Sequence, residues 1–190
     1  MQIEVTVPDG RMGEWVIDSF EVSEEDAAYS RRRAAATLGR EPAVPAGRYK
    51  RLMRGNALVM SNTPMEIDTH REFIRLARGN VLINGLGLGM ALTAILRKPE
   101  VKSVTVIERS AEVIELVGPT FASDDRLAII CADAFTWTPP RGSRFDAVWH
   151  DIWDDITSEN LPGMAELHRK YARRARWQDS WAREECKALR

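Results

Sequence analysis

Gly85, Gly87 and Gly89 stand at alternate positions directly after the apolar run 81–83. A strand that runs into closely spaced glycines and then into a helix lets a ligand approach the backbone, because no side chain blocks it. The first turn of the helix adds unpaired N–H groups and a partial positive charge. The segment therefore predicts a nucleotide-type site, although a tight turn without a ligand would also need glycines.

Two acidic residues follow the next two apolar runs. Glu108 ends the run 104–107, and Asp133 comes shortly after the run 127–130. A carboxylate at the end of the second strand, about 20 residues from the glycines, can accept hydrogen bonds from both hydroxyls of a ribose. Taken singly, Glu108 could instead be a charge that favours a helix start, and Asp133 could cap a turn. We expect both acids at the sheet edge that carries the glycines.

Asp151 ends the fourth apolar run, which covers residues 145–149. At that position it could orient an acceptor amine or hydroxyl, or remove its proton. The alternative is a helix cap or a salt bridge within the acidic cluster that also contains residues 154 and 155. Trp153 could stack on an acceptor or cover the sheet, and we expect His150 to pack in the core as a neutral, hydrogen-bonded side chain.

The four apolar runs are continuous rather than alternating, and helical segments separate them. This pattern is typical of parallel strands that are covered on both faces. Residues 157–190 show helical spacing and no strand-like run, so the sequence predicts a sheet of about four parallel strands. An uncovered fourth strand would be an aggregation hazard. We therefore expect the C-terminal helices, a partner subunit or both to cover it.

The first part of the chain predicts a small α+β unit. Residues 2–7 alternate between polar and apolar and indicate a half-buried strand, and residues 14–22 indicate a returning strand after the turn at 8–10. A helix is expected from Ser23 to about residue 38, with Ser23 as its cap.

A linker is predicted over residues 39–47, followed by one or two strands over residues 48–60. Thr63, the proline after it and Glu66 fit a capping box and predict the start of the next helix. This helix should end before Gly79. His70 shares a helix face with Glu66 at i, i+4 spacing.

Composition excludes several classes of protein. The 190 residues carry 27 basic and 28 acidic side chains, so no global field attracts nucleic acid or an anionic membrane. Cys131 and Cys186 lack the close Cys or His neighbours of a metal site, and two cysteines suit a reducing compartment. The apolar stretch 81–96 is too short and too interrupted to span a membrane. We expect a cytoplasmic protein without metal, membrane or nucleic-acid partner, and we expect the arginine runs 31–33 and 173–176 to be solvated helix faces.

The glycine spacing G-x-G-x-G, with the bulky Met90 where the dinucleotide fingerprint needs a small residue, resembles motif I of the class I S-adenosylmethionine-dependent methyltransferases. No Gly-Lys-Ser/Thr follows, which excludes a P-loop. Within that superfamily, residues 106–114 and 145–151 are similar to the second-strand and fourth-strand segments of spermidine synthase-like proteins. The resemblance covers about residues 80–155.

This resemblance implies an α/β protein with the Rossmann-like methyltransferase fold. The family sheet has the strand order 3-2-1-4-5-7-6, of which the chain is expected to supply 3-2-1-4, with an N-terminal α+β extension over residues 1–62 and C-terminal helices within a domain at 63–190. The implied cofactor is S-adenosylmethionine or its decarboxylated form. The residues expected to hold it are Asn84, Gly85, Leu86, Gly87, Gly89, Glu108, Arg109, Asp133 and Ala134.

The resemblance also implies roles for particular side chains. Asp133 would accept a hydrogen bond from the adenine amino group, and Asp151 would be catalytic, next to a small-molecule acceptor. The acceptor wall is expected to contain Met60, Glu66, His70 and Trp153. The implied reaction is methyl transfer. The alternatives are aminopropyl transfer, from which residues 150–155 depart in motif, and a non-catalytic binding or assembly module. We expect a homo-oligomer.

Overall fold

The computed structural model describes residues 3–36 and 43–190 and contains two β-sheets. The first sheet has four antiparallel strands in the order β1-β2-β3-β4. They are β1 (Gly10–Met12), β2 (Trp15–Val22), β3 (Gly47–Arg54) and β4 (Ala57–Ser61). Helix α1 (Glu24–Ala36) leaves this sheet after β2.

The second sheet has five parallel strands in the order β7-β6-β5-β8-β9. They are β5 (Gly79–Asn84), β6 (Val101–Glu108), β7 (Leu127–Cys131), β8 (Phe145–His150) and β9 (Ala175–Ser180). The six short helices that connect or flank them are α2 (Pro64–Thr69), α3 (Arg71–Leu76), α4 (Met90–Leu96), α5 (Ala111–Val117), α6 (Leu161–Tyr171) and α7 (Arg183–Ala188). The predicted Rossmann-like α/β fold is confirmed.

The number of strands differs from the prediction. Residues 175–180 form the fifth strand, whereas the sequence predicts helix throughout 157–190 and a sheet of order 3-2-1-4. In the family numbering the observed order is 3-2-1-4-5, and β9 pairs with β8 from Phe145↔Ala175 to His150↔Ser180. Trp177 of β9 also stacks on Trp149 of β8, with 6.3 Å between ring centroids. Contacts with β8 therefore determine the strand, and β9 covers β8, for which the C-terminal helices, a partner subunit or both were expected.

The N-terminal residues also differ from the prediction. Ile3, Val5 and Val7 are buried and the residues between them are exposed, but residues 3–7 pair with no other strand in the described chain. The alternation thus predicted the burial correctly and the strand wrongly. Helix α1 begins as expected, with Ser23 Oγ accepting a hydrogen bond from Asp26 N at 3.0 Å. Residues 37–42, which include the start of the predicted linker, lie outside the described residues.

The helix predicted after Thr63 is divided into α2 and α3 at His70. The predicted capping box is absent, because Thr63 makes no side-chain cap hydrogen bond. Glu66 turns back instead, and its Oε2 accepts hydrogen bonds from the backbone N–H and the hydroxyl of Ser61 at 3.2 and 3.1 Å. The carboxylate of Glu66, which the sequence predicts as part of the helix cap, therefore binds Ser61 at the end of β4 instead.

The two sheets share one apolar core. Ile17 and Leu52 of the first sheet are buried in the same cluster as Val81 and Val106 of the second. The opposite face of the second sheet packs on α6 through a separate cluster that includes Leu167. No helix within the described ranges has the length and apolarity needed to cross a membrane.

Candidate functional site

A cavity of about 260 Å³ opens at the carboxyl ends of β5 to β8, next to the first sheet. Ligands of parallel α/β sheets bind at this edge, where the strand order reverses. The cavity brings together nine of the predicted site residues: Met60, Gly85, Gly87, Glu108, Arg109, Asp133, Ala134, Asp151 and Trp153.

The three glycines of the turn meet different neighbours. A Cβ at position 85 would collide with the backbone carbonyl of Asp151, and a Cβ at position 89 would lie 2.6 Å from the Phe121 ring. At Gly87, which has a φ of +50°, the nearest atom would be the sulfur of Met60 at 2.7 Å. Gly85 and Gly89 are therefore required by packing within the chain, whereas Gly87 faces only the end of a flexible side chain.

Met60, which lines the cavity, also packs against the glycine turn. Its Sδ lies 3.3 Å from the backbone N–H of Leu88, which donates a weak hydrogen bond to it. Thioether sulfur is a poor acceptor, so a better acceptor could compete for this N–H group.

Glu108 joins the glycine turn to the start of α5. Its Oε2 accepts a hydrogen bond from Leu86 N at 2.9 Å, and its Oε1 accepts one from Ser110 N at 2.8 Å. An ionised carboxylate has about four lone-pair positions, so two remain after these contacts. The side chain is thus fixed in the cavity wall and can still accept hydrogen bonds from hydroxyl groups.

Asp133 caps a turn, as the alternative interpretation of this residue holds. Its Oδ1 accepts hydrogen bonds from Phe135 N at 2.7 Å and from Thr136 N at 3.3 Å. Its Oδ2 has no hydrogen-bond partner among residues 3–36 and 43–190, and the residue lines the cavity. The turn therefore holds the carboxylate at the sheet edge without using both of its oxygens.

Asp151 contacts a buried histidine. Its Oδ2 lies 2.7 Å from Nε2 of His70, and His70 is fully buried. Burial lowers the pKa of His70, but the charge and hydrogen bond of Asp151 and the interactions with Glu66 outweigh it, so the pKa is raised. Burial also raises the pKa of Glu66. His70 and Glu66 thus lie behind Asp151, and neither lines the cavity as the predicted acceptor wall requires.

Three predicted cofactor residues also lie away from the cavity wall. Asn84 is fully buried, and its amide donates to Nδ1 of His150 at 2.7 Å. Leu86 contributes its N–H to Glu108 while its side chain is buried, and Gly89 packs against Phe121. These positions shape the turn, and none of the three residues lines the cavity.

His150 has the environment that the sequence predicts. It is fully buried, and burial lowers its pKa to about 3, so it is neutral near pH 7. Its Nδ1 accepts from Asn84, and its Nε2 donates to Gln178 Oε1 across 3.4 Å. The ring therefore belongs to the core between β8 and α6.

Nine further residues that line the cavity were not predicted as site residues: Trp15, Leu52, Val59, Ile107, Val113, Ala132, Phe135, Ile152 and Asp154. Trp15 comes from the first sheet, and nothing local in the sequence connects it with a turn 70 residues later. Burial raises the pKa of Asp154, although Arg109 and Arg54 act in the opposite direction. The acidic cluster at 151–155 was the available signal for Asp154. Among the described residues, no group of three or more His, Cys, Asp and Glu side chains could hold a metal ion.

No protein-family model matches the chain. A curated protein, polyamine aminopropyltransferase 1 of Streptomyces coelicolor, is 33% identical over 102 residues, which represent 49% of this chain and 18% of that protein. The match therefore spans less than a fifth of the relative.

Among solved structures, spermidine synthase from Thermotoga maritima has a TM-score of 0.51 and 18% identity, over 89% of this chain and 52% of that chain. N-methyltransferase NodS from Bradyrhizobium japonicum WM9 has a TM-score of 0.47 and 18% identity, over 59% of this chain and 63% of that chain. The chain has the Rossmann-like fold of spermidine synthase, and about half of its sequence is similar to part of the curated aminopropyltransferase.

Proposed function

We propose that this chain binds an S-adenosyl sulfonium compound, S-adenosylmethionine or its decarboxylated form, and transfers an alkyl group from it to a small acceptor. The observation that carries the proposal is the cavity at the carboxyl edge of the parallel sheet. It places Glu108, Asp133 and Asp151, which end three different strand segments, around one space beside the glycine turn.

The donor and acceptor groups of the cavity fit an adenosyl group. Ribose hydroxyls and the adenine amino group are hydrogen-bond donors, and Glu108 and Asp133 each keep unused carboxylate lone pairs. Apolar side chains of Val113 and Ala134 line the same space and suit a flat base. We therefore assign the ribose to Glu108 and the adenine to Asp133 and Ala134.

When bound, the sulfonium supplies an activated carbon whose leaving group is a neutral thioether. The chain then has to position an acceptor and exclude water, and fixed geometry of this kind contributes about 7–11 kcal/mol. Asp151 lies at the cavity with one carboxylate oxygen held by His70. Its other oxygen can accept a hydrogen bond from the acceptor N–H or O–H, and it can take the proton that the acceptor loses.

Aminopropyl transfer to an amine is the form of the reaction that the curated relative favours. That protein is named as a polyamine aminopropyltransferase, and the matched stretch covers about half of this chain. The acidic side chains of Asp151 and Asp154 at the cavity suit a cationic amine acceptor. Methyl transfer from S-adenosylmethionine is the alternative reaction, and turnover assays distinguish the two.

Binding is the first test, and calorimetry with S-adenosylmethionine, its decarboxylated form and S-adenosylhomocysteine measures it directly. We expect at least one of them to bind, and NADH to give no heat. Glu108→Gln should weaken binding by about 10-fold or more, because a hydrogen bond to a charged group contributes about 1.5–3 kcal/mol. Glu112→Gln, a nearby change outside the cavity lining, is the matched control. Absence of binding by all three compounds would overturn the proposal.

Turnover is the second test. The protein is incubated with each sulfonium compound and a set of small amines and alcohols, and mass spectrometry follows the gain of a methyl or an aminopropyl group. Transfer from only one compound identifies the group that moves. If the compounds bind and no acceptor is modified in cell extract, the chain is a binding module and the transferase assignment is wrong.

A further inference from the structure

His70 is surrounded by hydrogen-bond acceptors on its Nδ1 side. The backbone carbonyl of Glu66 lies 2.8 Å from Nδ1, and a carbonyl oxygen can only accept. The hydroxyl of Thr69 lies 3.0 Å away, but it donates its own proton to the same carbonyl at 2.7 Å. Thr69 Oγ1 also accepts from the indole N–H of Trp181 at 3.1 Å. Nδ1 must therefore carry a proton.

The Nε2 side also faces an acceptor. Asp151 Oδ2 is 2.7 Å away, and a bare imidazole nitrogen facing a carboxylate oxygen at that distance would bring two lone pairs together. A proton must lie between them. Imidazole is a stronger base than a carboxylate in model compounds, so the proton belongs to the ring. The ring then carries protons on both nitrogens and forms an ion pair with Asp151.

The surroundings allow this charge and hold the ring still. In the described part of the chain, the charged groups acting on His70 are Asp151 and Glu66. The apolar neighbours include Ile83 and Met90, and the Trp149 ring lies 5.8 Å away between centroids. Because hydrogen bonds from α2 and from the segment after β8 fix both nitrogens, the ring cannot rotate without breaking them. Its burial also keeps water from replacing either partner.

We infer that, given the transfer reaction proposed above, His70 is a positioning residue: as an imidazolium it fixes Oδ2 of Asp151 and leaves Oδ1 for the acceptor. Oδ1 has no hydrogen-bond partner among the described residues, and the Asp151 side chain is 11% exposed, at the cavity. The acceptor therefore meets a carboxylate of fixed orientation.

Nitrogen-detected NMR of the imidazole rings tests the charge without any ligand. The chain has three histidines, and burial lowers the pKa of His150 to about 3 and lowers that of His168. Near pH 7 we therefore expect one doubly protonated ring, and His150→Asn and His168→Asn assign it to His70 by elimination. A neutral His70 at pH 6 to 7 would overturn the inference.

Two variants sharpen the NMR test. Asp151→Asn replaces the carboxylate by an amide that can donate to Nε2, so His70 should become neutral. Asp154→Asn removes the same charge from the same cavity without touching His70, and it should leave the imidazolium in place. Identical spectra of the two variants would contradict the inference, and dispersed amide spectra would show that both are folded.

Kinetics tests the positioning role. His70→Gln keeps an amide N–H for Asp151 and His70→Leu keeps none, so we expect turnover to fall about 10-fold and about 100-fold, with cofactor affinity within about threefold of the wild type. The loss of turnover at alkaline pH, expected when His70 gives up its proton, should be absent in His70→Gln. Unchanged turnover in both variants would refute the role. An unreactive wild type with a charged His70 would instead refute the proposed function alone.

Discussion

The two fully buried histidines, His70 and His150, lie against opposite faces of the second sheet, and we infer a charged ring for His70 and a neutral ring for His150. His70 faces two acceptors, the Glu66 carbonyl and the Asp151 carboxylate, at 2.8 and 2.7 Å. His150 faces one donor, Asn84, and one acceptor, Gln178. Burial is the same, and therefore the neighbouring groups decide whether the ring is charged: Asp151 and Glu66 raise the pKa of His70, whereas the charges of His168 and Lys170 lower that of His150.

The difference in charge corresponds to a difference in role: His70 contacts the candidate site, and His150 belongs to the core. The charged ring contacts a carboxylate at the cavity, whereas the neutral ring joins β8 to α6 beside Tyr171, with 5.6 Å between ring centroids. Burial raises the pKa of Tyr171 to about 12, so that side also carries no charge on its phenol. One face of the sheet therefore packs against a charged ring, and the other packs against side chains that burial keeps neutral.

The largest expected effect comes from changing Asp151, the partner of the charged His70 ring. Asp151→Asn should reduce turnover by about 100-fold to 10,000-fold, the usual range for a general base, with cofactor affinity nearly unchanged. Asp179→Asn, which removes an acid at the end of β9 outside the cavity, is the control and should retain turnover. Steady-state kinetics and calorimetry measure the two quantities. Equal turnover in the two variants would show that Asp151 has no special role in the reaction.

Acid should destabilise the neutral side. The pKa of His150 is about 3 in the folded chain and about 6.5 when unfolded, so between these values the unfolded state binds more protons and stability falls as pH falls. The contribution lost over the whole window is of the order of 5 kcal/mol. Urea unfolding at pH 7, 6 and 5 measures it, with His150→Gln as reference. We expect the variant to be less stable at pH 7 and to lose less on acidification.

Alkali should have the opposite effect on the charged side. Because the pKa of His70 is raised, its contribution is fully present below the unfolded pKa of about 6.5 and is lost as pH rises through the folded value. Burial opposes the raise, so we expect a smaller change than for His150. Urea unfolding from pH 6 to pH 9 should show this loss in the wild type and not in His70→Gln. The same alkaline slope in both proteins would show that the ring is neutral.

The smallest expected effect comes from exchanging one partner. Gln178→Leu removes the distant acceptor of His150 and the Nε2 donor to the His168 carbonyl, so it should cost about 2 kcal/mol of unfolding free energy. Gln178→Glu places a carboxylate there and makes the His150 site more like that of His70. The pKa of His150, followed by NMR, should rise in Gln178→Glu and not in Gln178→Leu. No rise would mean that partner type is not the deciding factor.

Sequence alone predicts the residues whose signals are local. The glycine turn, Glu108, Asp133 and Asp151 follow from apolar runs and from what ends them, and the neutral core character of His150 follows from its place in a buried strand. Strand β9 was missed, because pairing with β8 and the stack of Trp177 on Trp149 determine it. These contacts join segments that are about 30 residues apart, and periodicity cannot show them.

The position of His70 shows the same limit within the site. Its i, i+4 spacing from Glu66 predicts a shared helix face, but the helix ends at Thr69 and the ring turns inward to Asp151, 81 residues later. Trp15 reaches the cavity from the first sheet for the same kind of reason. Residue spacing predicts which side chains share a face of one helix or strand, whereas tertiary contacts determine whether that face lies at the cavity.

The cavity takes its walls from both sheets, with Trp15 and Leu52 on one side and Glu108 and Asp133 on the other. A molecule held between them can bind only when both halves are in place. Occupancy then stabilises the entire chain rather than one lobe, by an amount that grows with the logarithm of its concentration. A single melting transition that moves upward as a whole would be the thermal signature of that arrangement.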